Sequence, residues 1–200
     1  MPASDQQSAT PPGALAAADH VRSIIDALVS LPDGGDVPDH VNARLEEAAA
    51  ELSARITTPL TDLSLGAYLD RSPVTGAANP FSPPLRMDAD EQGVVRARTS
   101  LGQAYQGPPR RVHGGFVATL LDHAMGVAAS APTDIEGALT RSLTVDYIAG
   151  TPLGEDIEVT AWIGRREGRK LWMHGEISAE GRTCVTAHGL WIAFDPDTYR

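Results

Sequence analysis

A histidine, two glycines and an aspartate stand at spacings that suit chemistry on a carbonyl group. His113, Gly114 and Gly115 come directly before an apolar stretch that contains Asp122. Glycines at the start of a helix leave backbone N–H groups open to a ligand, and the helix dipole strengthens these donors toward an oxygen that becomes negative. Asp122 lies two turns beyond Gly115, so it projects from the same side of the helix roughly 10 Å further along the axis.

Each of these residues also has a purely structural interpretation. The two glycines could be an ordinary junction between a loop and a helix, His113 could cap that helix, and Asp122 could be held by a structural partner. Burying a carboxylate in an apolar helix costs folding free energy unless the group is paired or has a functional role. Because donors, imidazole and carboxylate converge on one helix, we favour a catalytic interpretation of the set.

The helix that would carry these groups, Gly114 to Ala129, is apolar on nearly every side. Its apolar residues are Phe116, Val117, Leu120, Leu121, Ala124, Met125, Val127 and Ala128. A helix without a polar face is buried on most sides, so other elements must surround it.

The chain after residue 84 has the alternation of β-strands. The predicted strands are 94–101, 142–147, 157–163, 171–177 and a long final strand, 184–194, that contains Trp191. Gly164 to Gly168 and Gly181 are interpreted as tight turns between neighbouring strands. One buried helix against four or five antiparallel strands predicts an α+β fold in which the sheet wraps the helix.

The sequence pattern of the first 84 residues indicates an appendage to this domain. Residues 1–60 divide into a tip, Met1 to Gly13, expected to be disordered, and two helices, 14–31 and 39–57, which apolar spacing indicates. Such a helical hairpin cannot bury its apolar faces alone and must dock on something. Residues 61–84 are rich in proline and glycine and are interpreted as a linker, which leaves 85–200 for the main domain.

The acidity of the chain belongs mainly to the appendage. The net charge is −10, and residues 1–80 hold eleven acidic residues against four arginines. Without a basic stripe, nucleic-acid binding is unexpected. A single cysteine, Cys184, excludes a disulfide framework and a cysteine-rich zinc site. The start has no secretory pattern, and the longest apolar run, 116–131, is interrupted and too short to span a bilayer, so we expect a soluble cytoplasmic protein.

The stretch GPPRRVHGGFVATLLDHAMG resembles the active-site segment of hotdog-fold acyl-CoA thioesterases of the PaaI-like type, in the 4-hydroxybenzoyl-CoA thioesterase superfamily. Their motif is His-Gly-Gly with a catalytic carboxylate nine residues after the histidine, and His113 and Asp122 have that spacing. The upstream SPVTGAANPFSPPL is similar to one subset of the family. The resemblance covers residues 73–200 and implies a hotdog fold and a homodimer or dimer of dimers with active sites at the subunit interface.

The resemblance also implies roles for individual residues. Asp122 matches the family carboxylate, which acts as general base for water or as nucleophile. Gly114 and Gly115 match the amides that polarise the thioester carbonyl, and His113 supports that turn. Thr140 falls where the subset has a hydroxyl that positions the aspartate or the water, although it would suit an ordinary strand equally well.

A basic run is the candidate contact for coenzyme A. In the family, the matching hairpin contacts the phosphate-bearing part of coenzyme A, and cationic side chains suit phosphates. A solvated hairpin is the alternative. The run consists of Arg165, Arg166, Glu167, Gly168, Arg169 and Lys170. Arg110 and Arg111 could add to the same field, and Asp146 falls at a substrate-contacting position but carries a charge where an amide is common.

Two positions depart from the family pattern. His123 stands beside Asp122, where relatives often have a small or polar residue, so it could tune the carboxylate or face a dimer partner. Gly107 stands where some relatives have an amide that helps to bind water.

The resulting prediction is hydrolysis of an acyl-CoA thioester to free acid and CoA. No metal or organic cofactor is expected, because a thioester is already activated. Two alternatives stay open. One is a hotdog enoyl-thioester hydratase, whose typical Asp-His or His-Glu arrangement stands in a different sequence context, and no such segment is found here. The other is a non-catalytic acyl-CoA sensor, which would lack the helix carboxylate.

Overall fold

A computed structural model of the chain describes residues 10–55, 71–83, 85, 87–135 and 137–194. Within these residues lie three α-helices and six β-strands, and a short 3-10 helix, Gln103–Tyr105, precedes the third helix. The elements are α1 (Pro12–Val29), α2 (Asp39–Ser53), β1 (Asp88–Ala89), β2 (Val95–Ser100), α3 (Gly114–Ala129), β3 (Ala138–Tyr147), β4 (Asp156–Glu167), β5 (Lys170–Ala179) and β6 (Arg182–Ala193). No helix among them is long and apolar enough to cross a membrane.

The strands form one antiparallel sheet in the order β1-β2-β4-β5-β6-β3, so β3 is an edge strand. Helix α3 packs across one face of this sheet and contacts every strand. Its residues Leu120 and Leu121 are fully buried, and each such side chain contributes about 1.5–3 kcal/mol. The predicted α+β arrangement of a sheet around a central helix is therefore confirmed.

Strand β5 shows why these residues form a half-buried sheet. Leu171, Met173 and Ile177 are fully buried on the helix side of the sheet. The alternate residues Trp172, His174 and Glu176 face the other side. Gly175 continues the inward series, because a Cβ at this position would lie 3.0 Å from Leu121 Cδ2 and 3.1 Å from Met125 Sδ. The absence of a side chain there lets the helix approach the sheet closely.

The turn predicted at Gly164 to Gly168 is wrong in its extent. Strand β4 continues to Glu167, and only Gly168 and Arg169 form the turn, with Gly168 at φ +56°. A β-bulge between Ile163 and Arg165 shifts the register at Gly164, and the His174 ring covers that glycine. The glycine therefore serves a bulge rather than a turn. The turn predicted at Gly181 is confirmed, with φ +73°.

The two predicted N-terminal helices are present with shifted ends. Helix α1 begins at Pro12, so Pro12 and Gly13 belong to a helix and not to the tip expected to be disordered, and proline suits a first helical turn. Residues 1–9 of that tip, and 61–70 and 84 of the predicted linker, lie outside the described residues. Helix α2 ends at Ser53, whereas the predicted end at Thr57 also lies outside the described residues.

Helix α1 docks on the rest of the protein through two polar side chains. The Arg22 guanidinium donates to the carbonyl oxygens of Ala77 at 2.7 Å and Asn79 at 2.9 Å, in the segment 71–83. Asp26 accepts a hydrogen bond from the Ala104 amide at 2.9 Å, just before α3. Helix α2 has no buried residue, so α1 supplies the docking contacts of the hairpin.

Candidate active site

The first turn of α3 leaves one backbone N–H group open. His113 Nδ1 accepts a hydrogen bond from the Gly115 amide at 3.0 Å, which makes His113 the N-cap of the helix. The amides of Phe116 and Val117 donate to the His113 carbonyl at 3.0 and 3.2 Å. Within the described residues, the Gly114 N–H is the donor of this turn without an acceptor. A ligand oxygen could bind it directly, whereas it would have to displace the imidazole from Gly115.

Tyr147 fixes the backbone at this open amide. Its hydroxyl donates to the Gly114 carbonyl at 2.9 Å, and a Cβ at position 114 would lie 3.3 Å from the tyrosine ring. The edge strand β3 thus holds the start of α3, and position 114 has little room for any side chain. The sequence placed Tyr147 in a strand but contained no signal for this contact.

Asp122 and Thr140 are brought together by the packing of α3 against β3. The Thr140 hydroxyl donates to Asp122 Oδ1 at 2.8 Å. The other carboxylate oxygen has no partner within the described part of the chain. A hydroxyl that holds one oxygen orients the carboxylate and leaves the second oxygen to act on water or on a carbonyl carbon.

His123 is held from the segment 71–83. Its Nε2 lies 2.9 Å from the Thr75 hydroxyl, a contact between residues far apart in the chain that the sequence did not indicate. Burial lowers the pKa of the imidazole, and the neighbouring charge of Asp122 partly opposes this shift. The imidazole beside the carboxylate is therefore neutral near pH 7.

The lowered pKa of His123 predicts a dependence of stability on pH. The unfolded chain binds a proton at this histidine below about pH 6.5, before the folded chain does, so the free energy of unfolding falls as the pH drops through that value. His123→Gln should lose less stability than the wild type between pH 7.5 and 5.5 in urea denaturation. His188→Gln, at an exposed histidine on the other side of the sheet, is the control. Equal losses in wild type and His123→Gln would contradict the prediction.

A cavity of about 490 Å³ opens beside the Asp122 and Thr140 pair. It lies between the second half of α3, the start of β3, and β1, and β6 contributes one tryptophan. Its lining residues are Met87, Ala89, Asp122, His123, Gly126, Val127, Ser130, Ala131, Ala138, Leu139, Thr140 and Trp191. This lining is mostly small and apolar, and none of these residues is a lysine or an arginine, so the cavity suits an uncharged organic group.

The basic hairpin lies at the other end of α3. Arg166 binds both oxygens of Asp134, at 2.9 and 2.6 Å, and this ion pair lowers the pKa of the Asp134 carboxyl. Asp134 follows the C-terminus of α3, and the helix extends about 24 Å from Gly114 to that end. Within one chain, the structure therefore does not bring the hairpin together with Gly114 and Asp122.

The other hairpin residues are also engaged, with one exception. Arg165 pairs with Glu167 at 2.6 Å and lies over the Trp172 ring. Gly168 forms the turn, and Arg169 Nε donates to the Ala193 carbonyl at 2.7 Å. Lys170 begins β5, is exposed, and has no partner within the described residues.

The remaining predicted contacts surround the start of α3. Asp146 is exposed on β3 beside Tyr147. Arg110 has a positive φ of 60°, and the stem of Arg111 lies across Gly150, where a Cβ would meet its Cδ at 2.7 Å. Gly107 accommodates His113 in the same way, because a Cβ on Gly107 would lie 2.8 Å from the Cα atom of His113. Arg110 and Arg111 thus come directly before the start of α3 in the chain, and the Arg111 side chain lies against Gly150.

Comparison with known proteins agrees with this geometry. A family model described as Thioesterase superfamily matches residues 111–186, which include the His113 motif, Asp122 and Thr140. The rat (Rattus norvegicus) protein acyl-coenzyme A thioesterase THEM4 is 37% identical over 99 residues, which are 48% of this chain and 41% of the rat protein. The chain thus matches less than half the length of that relative.

Solved structures extend the comparison to nearly the whole chain. A crystal structure of a thioesterase superfamily protein is 31% identical with a TM-score of 0.79, over 92% of this chain and 97% of that one. A Streptococcus mutans protein solved with acetyl-CoA is 18% identical with a TM-score of 0.51, over 55% of this chain and 88% of that one, and it supports the fold alone. Because this similarity to a thioesterase superfamily protein extends over nearly the whole of both chains, the chain belongs to the thioesterase superfamily and has its hotdog fold.

Proposed function

We propose that the protein hydrolyses acyl-CoA thioesters to a free acid and CoA. The observation that carries this proposal is the Asp122 carboxylate, which Thr140 orients at 2.8 Å on the wall of a cavity large enough for an acyl group. Matched relatives are named acyl-coenzyme A thioesterases, and a neighbour of the same fold was solved with acetyl-CoA.

The chemistry needs a donor for the carbonyl oxygen and a base for water. The Gly114 N–H binds the thioester oxygen and stabilises the negative charge that develops on it. Asp122 takes a proton from a water molecule held with the help of Thr140, and the water oxygen attacks the carbonyl carbon. The C–S bond then breaks and the CoA sulfur leaves with a proton. Direct attack by Asp122 on the carbonyl carbon is the alternative role of this carboxylate.

The distance between donor and base favours a site shared by two chains. Gly114 and Asp122 are eight residues apart on one straight helix, which is about 12 Å along the axis. One thioester carbonyl cannot touch both groups of the same helix. We therefore propose a homodimer or a dimer of dimers, in which Gly114 of one protomer faces Asp122 of its partner.

The edge strand β3 supports this assembly. It carries or adjoins apolar side chains that are unusually exposed, Leu139 at 46%, Tyr147 at 55% and Ile148 at 63%. An exposed apolar edge is a site for pairing with another chain. A cytoplasmic location is part of the proposal and agrees with the free thiol of Cys184.

A thiol-release assay tests the proposed activity. The purified full chain is mixed with acyl-CoAs of graded length and with aromatic acyl-CoAs, and DTNB reports the free CoA. Turnover of at least one class is expected. Tight binding of acyl-CoA without thiol release would favour a sensor, and hydration of crotonyl-CoA without thiol release would favour a hydratase. Either result would contradict the proposal.

A further inference from the structure

Trp191 places an unpaired hydrogen-bond donor in the wall of the cavity. The side chain is 1% exposed, and its Nε1 lies 3.8 Å from the position that a Cβ on Gly126 would occupy. No acceptor for this N–H is found among the described residues. A donor at a cavity wall that no protein group engages is open to an acceptor atom of a ligand.

Three other side chains of the lining already have a hydrogen-bond partner. The Ser130 hydroxyl donates to the Gly126 carbonyl at 3.1 Å, His123 is bonded to Thr75, and Thr140 is bonded to Asp122. Among the serine, threonine and tryptophan donors of the lining, Trp191 Nε1 is therefore the one without an acceptor among the described residues. Because the lining includes the Asp122 carboxylate and no cationic side chain, a negatively charged ligand group would be repelled there.

The position of Gly126 sets how far along α3 the donor lies from Asp122, which acts on the thioester carbonyl in the proposed mechanism. Gly126 follows Asp122 by one helical turn, about 6 Å along the axis. A fully extended acyl chain covers a similar distance from its carbonyl carbon to its sixth atom. Since Gly126 has no side chain, the indole N–H is open to a ligand that reaches this depth.

We propose that the cavity selects acyl groups with an uncharged oxygen about six atoms along the chain, and that Trp191 Nε1 donates a hydrogen bond to this oxygen. The inference rests on the proposed thioesterase function and adds to it a specificity-determining residue. Ether, ketone and hydroxyl oxygens all provide the required acceptor, whereas a terminal carboxylate does not fit the charge of the site.

A matched pair of substrates isolates this hydrogen bond. 5-Methoxypentanoyl-CoA and heptanoyl-CoA have the same chain length and differ by one oxygen in place of a methylene group at the sixth atom. The readout is the ratio of their kcat/KM values. In the wild type this ratio should exceed that of Trp191→Phe by roughly three- to tenfold, the usual effect of one hydrogen bond. 3-Methoxypropanoyl-CoA and pentanoyl-CoA place the oxygen too near the carbonyl, and their ratio should not change.

A second variant guards against a packing effect of the tryptophan substitution. In Gly126→Ala the new methyl group makes an ordinary contact at 3.8 Å with Trp191 Nε1, so the fold is kept while the N–H is covered. The ether-to-alkyl ratio should fall in this variant as well. Trp162→Phe is the control, because Trp162 stacks on His174, away from the cavity lining.

The outcomes separate the inference from the function on which it depends. Equal ether-to-alkyl ratios in wild type, Trp191→Phe and Gly126→Ala would overturn the inference and leave thioester hydrolysis intact. Failure of the wild type to hydrolyse these four thioesters, with turnover of another acyl-CoA, would overturn the inference alone. Failure to release thiol from every acyl-CoA tested would overturn the proposed function, and the inference with it.

Discussion

Replacing Asp122 with asparagine is expected to lower thiol release from acyl-CoA by about 100- to 10,000-fold, the range that a positioned general base contributes. Asparagine has nearly the same shape, and its side-chain oxygen can still accept the hydrogen bond from Thr140. It has no negative charge, so it can neither take a proton from water nor attack the carbonyl carbon. The kcat of the purified variants in the DTNB assay measures the effect.

Asp156→Asn provides the matched control for this substitution. Asp156 is an exposed carboxylate at the start of β4, outside the cavity, and its variant should retain wild-type turnover. Both variants should unfold near the wild-type temperature, because neither changes side-chain volume. If Asp122→Asn released thiol as fast as Asp156→Asn, the assignment of Asp122 as base or nucleophile would be wrong.

The largest expected loss of stability comes from Gly189→Ala in β6. A Cβ at this position would overlap the Ser142 carbonyl of β3 and lie 2.7 Å from Cζ3 of Trp191. A backbone carbonyl cannot move aside as a flexible side chain can, so β3 must shift from its partner strand. We expect a loss of about 3 kcal/mol in the free energy of unfolding, at the upper end of the usual cost of overpacking. In a chain of this size the melting temperature should fall by roughly 10 °C.

Gly13→Ala is the corresponding control. Gly13 lies in the first turns of α1, with nothing within 4 Å of a built Cβ, so alanine should be neutral or slightly stabilising there. Urea denaturation of the two variants beside the wild type measures the difference. Similar unfolding free energies for Gly189→Ala and Gly13→Ala would contradict the prediction, because they would show that β3 can shift away from β6 without loss of stability.

The central helix was the most predictable element. The apolar residues from Gly114 to Ala129 are bounded by glycines at one end and by Ser130 at the other, and the observed helix has the predicted bounds. Local spacing is enough for such an element because its burial is encoded within sixteen consecutive residues. The five longer strands were also predictable from alternation, whereas the two-residue β1 was not. The order of the strands in the sheet was not predictable either, since it depends on pairing between distant segments.

Features that depend on long-range contacts could not be predicted from the sequence. The extent of β4 was missed because a glycine at a β-bulge has the same sequence signal as a glycine at a turn. Thr75 carried no signal at all, since its role arises from a contact with His123. The ion pair of Arg166 with Asp134 was equally hidden, and it changes the interpretation of a basic run that in sequence looked free to bind phosphate.

Within the site, too, features set by local spacing could be predicted, whereas features set by distant packing contacts could not. The spacing of His113 and Asp122 was readable, and the resemblance to a family added Thr140, which the structure places in contact with Asp122. The capping role of His113 was among the interpretations of the sequence, but the particular amide that it engages and the open indole N–H of Trp191 could not be predicted. Both depend on where a ring points after packing, and residue type and spacing do not determine that direction.

The hydrogen bonds of Arg22 connect the N-terminal helix α1 to the candidate active site through the segment 71–83. Arg22 holds the backbone of the segment 71–83, and Thr75 in that segment holds His123 beside Asp122. When α1 detaches by local unfolding, the carbonyl groups lose their donor and the wall next to the carboxylate loses its anchor. The attachment of a helix far from Asp122 in sequence therefore contributes to holding the segment that contacts His123.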